Sequence, residues 1–166
     1  MLIADLPANS RIFCDANILA YAFLGAEPMS SVCLTLLERC ARREVQLFTS
    51  AIQASNTIHR SMVREAVLVL GLEPRKAVSY LKQHPDVVRK LIRYKELLGD
   101  FTRTRLHILD VTYREIHASK RYRDQYGLLT DDSISLAVMD RHSIIDLASN
   151  DKDFKGIKSI RLWTPD

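Results

Sequence analysis

Hydrophobic positions along the chain switch between two periods, and the switches mark its elements. Ile12, Phe13 and Cys14 form an unbroken apolar run, as in a strand buried on both faces; just beyond Asp15, Ile18, Leu19, Ala22 and Phe23 recur at helical spacing. A second helix is expected from Ser30 or Ser31, with Val32, Cys33, Leu36, Leu37 and Cys40 on one face and Arg39, Arg42 and Arg43 on the other, turning near Glu44. Residues 45–49 read as a second strand, and from Ala51 a helical pattern carries Ile52, Ile58, Met62, Ala66, Val67 and Leu70 to Gly71, a C-cap. This βαβα order predicts an α/β fold with a parallel sheet.

Residues 73–105 are helical in character without a strand, and Pro85 divides them, so an inserted helical pair is expected. Residues 106–111 read as the third strand, and Thr112 with Glu115 forms a capping box opening a helix that runs to about Tyr126, before Gly127. The next helix holds Asp131 and Asp132 in its N-cap and first turn, with Ile134, Ala137, Val138 and Arg141 spaced as a packed face. A fourth strand over residues 144–148 ends just before Asn150, Asp151 and Asp153, and SIRLW reads as a last short strand before Thr164 and Pro165.

A length of 166 residues, 47% hydrophobic, suits a single domain over residues 1–166. The net charge of +4 and pI of about 9.0 suit a polyanionic partner but fall short of a DNA-coating protein. Cys14, Cys33 and Cys40 lack paired spacing and are odd in number, which argues against a disulfide framework and for a cytoplasmic protein. Asp5 interrupts what would have to be the apolar region of a signal peptide, and no later run approaches the length of a membrane span, so neither secretion nor membrane insertion is expected. The five histidines have no HExxH or CxxC companions, leaving zinc without support.

The acids carry the chemistry. Asp15 follows strand one, Asp132 opens a helix, and Asp151 and Asp153 follow strand four, so a parallel sheet brings all of them to its carboxyl edge, where open α/β sheets bind ligands. Asp15 has a second reading as a helix N-cap. Carboxylates gathered in one cleft repel one another unless protons or cations neutralise them, and hard oxygen donors without His or Cys point to Mg²⁺ or Mn²⁺. The Lys and Arg residues of the helical insertion have two readings, a solvated face or a wall that tracks an RNA backbone.

The segments FCDANILAY, TSAIQASNTIHR, GLLTDDSISLAV and ASNDKDF resemble, in order and across nearly the whole chain, the successive motifs of the PIN-domain family. The resemblance implies a three-layer α/β/α sandwich around a mostly parallel sheet, and a metal-dependent ribonuclease such as the VapC-like toxins of toxin–antitoxin pairs. It assigns metal-binding and catalytic roles to Asp15, Asp132 and Asp151, with Asp153 as a further metal-site acid, and matches Asn17 to the polar residue after the first Asp. It also implies an RNA substrate and an antitoxin that covers the cleft.

One departure stands out: Asn56 occupies the place of the family's usual Glu, and an amide oxygen can ligate Mg²⁺ but carries no charge and cannot act as a base. Asn17 and Asn56 are then expected to hydrogen-bond the ligands from behind, and Glu65 lies two turns or more along the helix, too far to replace position 56. A second function class follows, a catalytically weakened module that binds RNA or protein. A third, a phosphatase with Asp15 as nucleophile, is disfavoured because Asn17 stands where a proton-donating acid is wanted. Phe23, Leu24, Leu36 and Leu37 exceed what a small sheet needs for cover, which suggests a homodimer.

Overall fold

The computed structural model describes residues 1–25 and 28–166. Strands β1 (Arg11–Cys14), β2 (Gln46–Ser50), β3 (His107–Leu109), β4 (Asp146–Ala148) and β5 (Arg161–Trp163) form one sheet in the order β3-β2-β1-β4-β5. The pairings among these strands are all parallel, so the sheet expected to be mostly parallel is wholly so. The chain builds outward from β1 through β2 to β3, then returns to lay β4 on the other side of β1. The crevice beyond the ends of β1 and β4 is therefore the switch point of the sheet, where such folds bind ligands.

The helices are α1 (Ala16–Leu24), α2 (Ser30–Ala41), α3 (Ala51–Leu70), α4 (Pro74–Gln83), α5 (Pro85–Lys90), α6 (Arg93–Arg103), α7 (Tyr113–Ala118), α8 (Lys120–Tyr126) and α9 (Thr130–Arg141). The pleat sorts them into layers. Ile12 and Cys14 of β1 join Leu47 and Ala148 in one core with Ile18 and Leu19 of α1, Cys33, Leu36 and Leu37 of α2, and Leu97 and Phe101 of α6. Phe13, pointing the other way, joins Leu147 with Tyr122 of α8 and Ile134, Val138 and Met139 of α9. Each fully buried Leu, Ile or Phe contributes about 1.5–3 kcal/mol relative to exposure, so the two faces together hold the sheet between its helical layers. Leu36 and Leu37 are wholly consumed by the first core, and Phe23 packs edge-on against Phe101. Of the apolar surplus that suggested a homodimer, only Leu24 lines an open apolar groove.

Three departures from the expected elements have local causes. The inserted helical pair is three helices. Pro85 turns His84 out of helical geometry and restarts the chain as α5, while Leu91, extended, ends α5 before α6. Glu65 of α3 accepts hydrogen bonds from the backbone N–H groups of Ile92 and Arg93, capping α6 from a neighbouring helix. The helix expected to run from Thr112 to Tyr126 is divided at Ser119, and its opening capping box of Thr112 and Glu115 is present. Gly71 and Gly127 both end helices with φ of 63° and 69°, a left-handed geometry that favours glycine. Lastly, Leu129 occupies the N-cap of α9, so Asp131 and Asp132 both sit inside its first turn.

The three cysteines are buried free thiols, and burial pushes Cys33 up to about 12, which leaves it inert.

Candidate metal centre

Asp15 sits at the end of β1, where its backbone N–H still donates to Ala148 of β4 and its side chain caps α1. Both readings of this residue in the sequence are therefore visible at once: it is a helix cap and it lines the acidic cleft. Its carboxylate is only 7% exposed and accepts from Ala16 N at 2.6 Å, Asn17 Nδ2 at 2.6 Å and Ser149 Oγ at 2.7 Å. Burial raises its pKa, while the hydrogen bonds from Ser149 and Ala16 and the charge of Arg60 oppose that rise.

Asp151 follows β4 across one polar link. Ser149 Oγ, which donates to Asp15, accepts from the Asp151 N–H at 3.0 Å, and Asn17 Oδ1 accepts from Asn150 N at 3.2 Å. Asn17 thus ties the β1 end to the β4 end and fixes where the acids stand. Asp151 caps a single 3-10 turn, Lys152–Phe154, by accepting from Asp153 N, and this turn brings Asp153 back beside it.

The carboxylates of Asp132, Asp151 and Asp153 each offer an oxygen within 4.8 Å of the others. Asp132 reaches this point from the first turn of α9, whose N-terminal dipole favours negative charge there. The crowding is felt nonetheless: partial burial, then the charges of Asp15, Asp151, Asp131 and Asp153, push Asp132 up to about 6. Asp15 belongs to the same cleft of about 460 Å³ but is not one of the three converging carboxylates, because its oxygens are turned to Ala16, Asn17 and Ser149. Asn56 lines that cleft too, and its Nδ2 donates to Asp131 Oδ2 at 3.0 Å.

Three further residues of this site escaped the sequence reading. Gln53 is buried, accepts weakly from Ala16 N at 3.3 Å and donates to Ser135 Oγ at 2.9 Å, bracing α3 against α1 and α9. Ser149 bridges Asp15 and Asp151 as described. Arg60 stands one turn beyond Asn56 and lines the cleft as its cation. The i, i+3, i+7 spacing of Gln53, Asn56 and Arg60 carries the signal, and the apolar positions of the same helix mask it. The basic residues of α4 to α6, read as a solvated face or as an RNA-tracking wall, do not line this cleft; Lys76, Arg93 and Arg103 pair with the nearby Glu73, Glu96 and Asp100, as suits the solvated face.

A parallel sheet whose switch point gathers aspartates from two strand ends and a helix start defines a class of acidic-cleft α/β proteins, and the family follows. The chain belongs to the PIN-domain family, whose model matches residues 12–159. Among curated proteins none matches the chain by sequence. Its fold is shared with a toxin–antitoxin complex from Klebsiella pneumoniae, at 20% identity and TM-score 0.58, over 95% of this chain and 98% of that one. It is also shared with VapBC2 from Rickettsia felis bound to a promoter DNA fragment, at 15% identity and TM-score 0.56, over 93% and 98% of the two chains. Mycobacterium tuberculosis VapC20, a toxin that cleaves the sarcin–ricin loop, matches at 16% identity and TM-score 0.56, over 90% and 98%.

Proposed function

We propose that this chain is a divalent-metal-dependent endoribonuclease and the toxin of a toxin–antitoxin pair, acting in the cytoplasm on an RNA substrate. The observation that carries the reading is the convergence of Asp132, Asp151 and Asp153, of which Asp132 and Asp151 line one cleft together with Asp15. The donor set fits Mg²⁺ or Mn²⁺, being all carboxylate oxygen, and a cation would relieve the repulsion that raises Asp132. Asp132, Asp151 and Asp153 would hold it, with Asp15 as a further acid of the cleft, linked to Asp151 through Ser149. When bound, such an ion supplies positive charge at the scissile phosphate and makes water more acidic near neutral pH.

The chain's own groups do the rest. Ser149 and Asn17 hold the Asp15 carboxylate in one orientation, so its charge stands fixed relative to Asp151, which Ser149 also binds. Asp132, which burial and its acid neighbours push up to about 6, would be kept ionised by a bound cation and so serve as a ligand. Two structural relatives, one a toxin–antitoxin complex and the other VapBC2, support an antitoxin partner, and the open apolar groove beside Leu24 supports a homodimer.

A second reading has its own observation: Asn56, hydrogen-bonded to Asp131, adds no charge to the cleft, as in a module that binds RNA or protein with weakened turnover. Titrating one preparation with Mn²⁺ while following both metal binding and RNA cleavage separates the two. Saturable binding with cleavage supports the nuclease, and binding of RNA without metal-stimulated cleavage supports the module.

A further inference from the structure

The acidic cleft presents a difficulty for an RNA substrate: its walls carry Asp15, Asp131, Asp132 and Asp151, and a phosphodiester approaching them is repelled. A cation at the rim would answer this, and Arg60 is the basic residue that lines the cleft among those described. It lies on the face of α3 that already serves the site. Gln53 is buried and anchored to Ala16 and Ser135, Asn56 is anchored to Asp131 one turn on, and Arg60 follows in the next turn, exposed at the mouth.

Its neighbours on α3 are disposed differently. Arg64 leans back onto the carbonyl of Gly25, and His59 and Arg64 line only the apolar groove, whereas Arg60 stands between that groove and the acidic cleft and lines both. Arg60 is near enough to Asp15 for its charge to act on that carboxyl, yet it forms no ion pair among the described residues. Its guanidinium keeps its donors for an incoming group, and their planar fork matches two oxygens of a phosphate.

We infer that Arg60 is a substrate-positioning residue, binding a backbone phosphate of single-stranded RNA at the mouth of the cleft so that the neighbouring phosphodiester lies against the aspartates. The inference rests on the ribonuclease reading above. It makes a paired demand of opposite sign, because a cation beside a cation site repels the metal while attracting the substrate.

The test uses the full chain, native and as Arg60→Gln and Arg60→Lys, with a single-stranded RNA oligonucleotide in Mn²⁺ and, separately, Mn²⁺ calorimetry without RNA. Arg60→Gln should raise KM about tenfold with kcat changed little, and should lower the dependence of log KM on log salt by roughly 0.7, the loss of one single-strand phosphate contact. Mn²⁺ affinity should hold or tighten. Arg60→Lys, a point charge without the fork, should recover part of the KM. Cleavage by the native chain together with an unchanged KM and salt slope in Arg60→Gln overturns the inference alone, as does weakened Mn²⁺ binding in that variant. A native chain that binds no Mn²⁺ and cuts no RNA overturns the ribonuclease reading, and this inference with it.

Discussion

At the scale of single residues, the cleft stores electrostatic repulsion, and Asp132 registers it. Its folded pKa is raised to about 6 from 3.8, so between those values the folded state binds more protons than the unfolded one. Stability from this group is complete below the unfolded value and is lost as pH rises through about 6. Asp132→Asn should therefore stabilise the metal-free protein at pH 7, by about 1 kcal/mol after allowance for solvent screening of a half-buried group. That corresponds to a Tm increase of roughly 2–4 °C by calorimetry in EDTA. The gain should vanish at pH 4, and a Tm that is equal or lower at pH 7 would contradict the assignment of repulsion.

Asn56 gives the complementary residue-scale test. Replacing it by Glu sets a carboxylate against Asp131 in place of the present hydrogen bond. Asn56→Glu should lower the metal-free Tm while tightening Mn²⁺ binding severalfold, since each added carboxylate strengthens attraction for a hard ion. Ser55→Glu, on an exposed position one residue away, should do neither. If both variants leave Mn²⁺ affinity at the native level, position 56 does not face the ion.

At the scale of elements, legibility in the sequence followed the range of the interactions. Gly71, Gly127 and the Thr112 and Glu115 capping box announce their helix ends because a cap is decided by a few neighbouring residues. The division of the insertion into three helices was hidden because the cap of α6 comes from Glu65, distant in sequence, and no local pattern reports it. The anchoring of β5 was equally silent. Asp146 is buried and accepts from Arg161 at 2.7 and 2.6 Å and from Trp163 Nε1 at 2.7 Å. Asp146→Ala should cost about 2 kcal/mol by leaving the buried indole N–H without a partner, measurable by urea unfolding. A loss under 0.5 kcal/mol would mean the edge strand is held by packing alone.

Across the whole molecule, the sheet order explains why acids so far apart in sequence share a cleft: β1 and β4 are neighbours at the switch point, and α9 starts beside them. Strand punctuation and the positions of Asp132, Asp151 and Asp153 were enough to anticipate a shared edge. The inward turn of Asp15 toward Ser149 was not, because it depends on a hydrogen bond spanning most of the chain. Among the described residues no helix is long and apolar enough to cross a membrane.

If the convergent carboxylates hold a divalent ion that makes this chain a ribonuclease, metal binding and RNA cleavage must rise together. The most direct measurement is the rate of cleavage of a single-stranded RNA by the purified chain as Mn²⁺ is titrated, for the native protein and for Asp151→Asn. Cleavage should rise saturably with Mn²⁺, stop on chelation, and fall by at least ~100-fold in the variant, as expected when a metal ligand is lost. Cleavage that persists in EDTA, or that Asp151→Asn supports at the native rate, would contradict it.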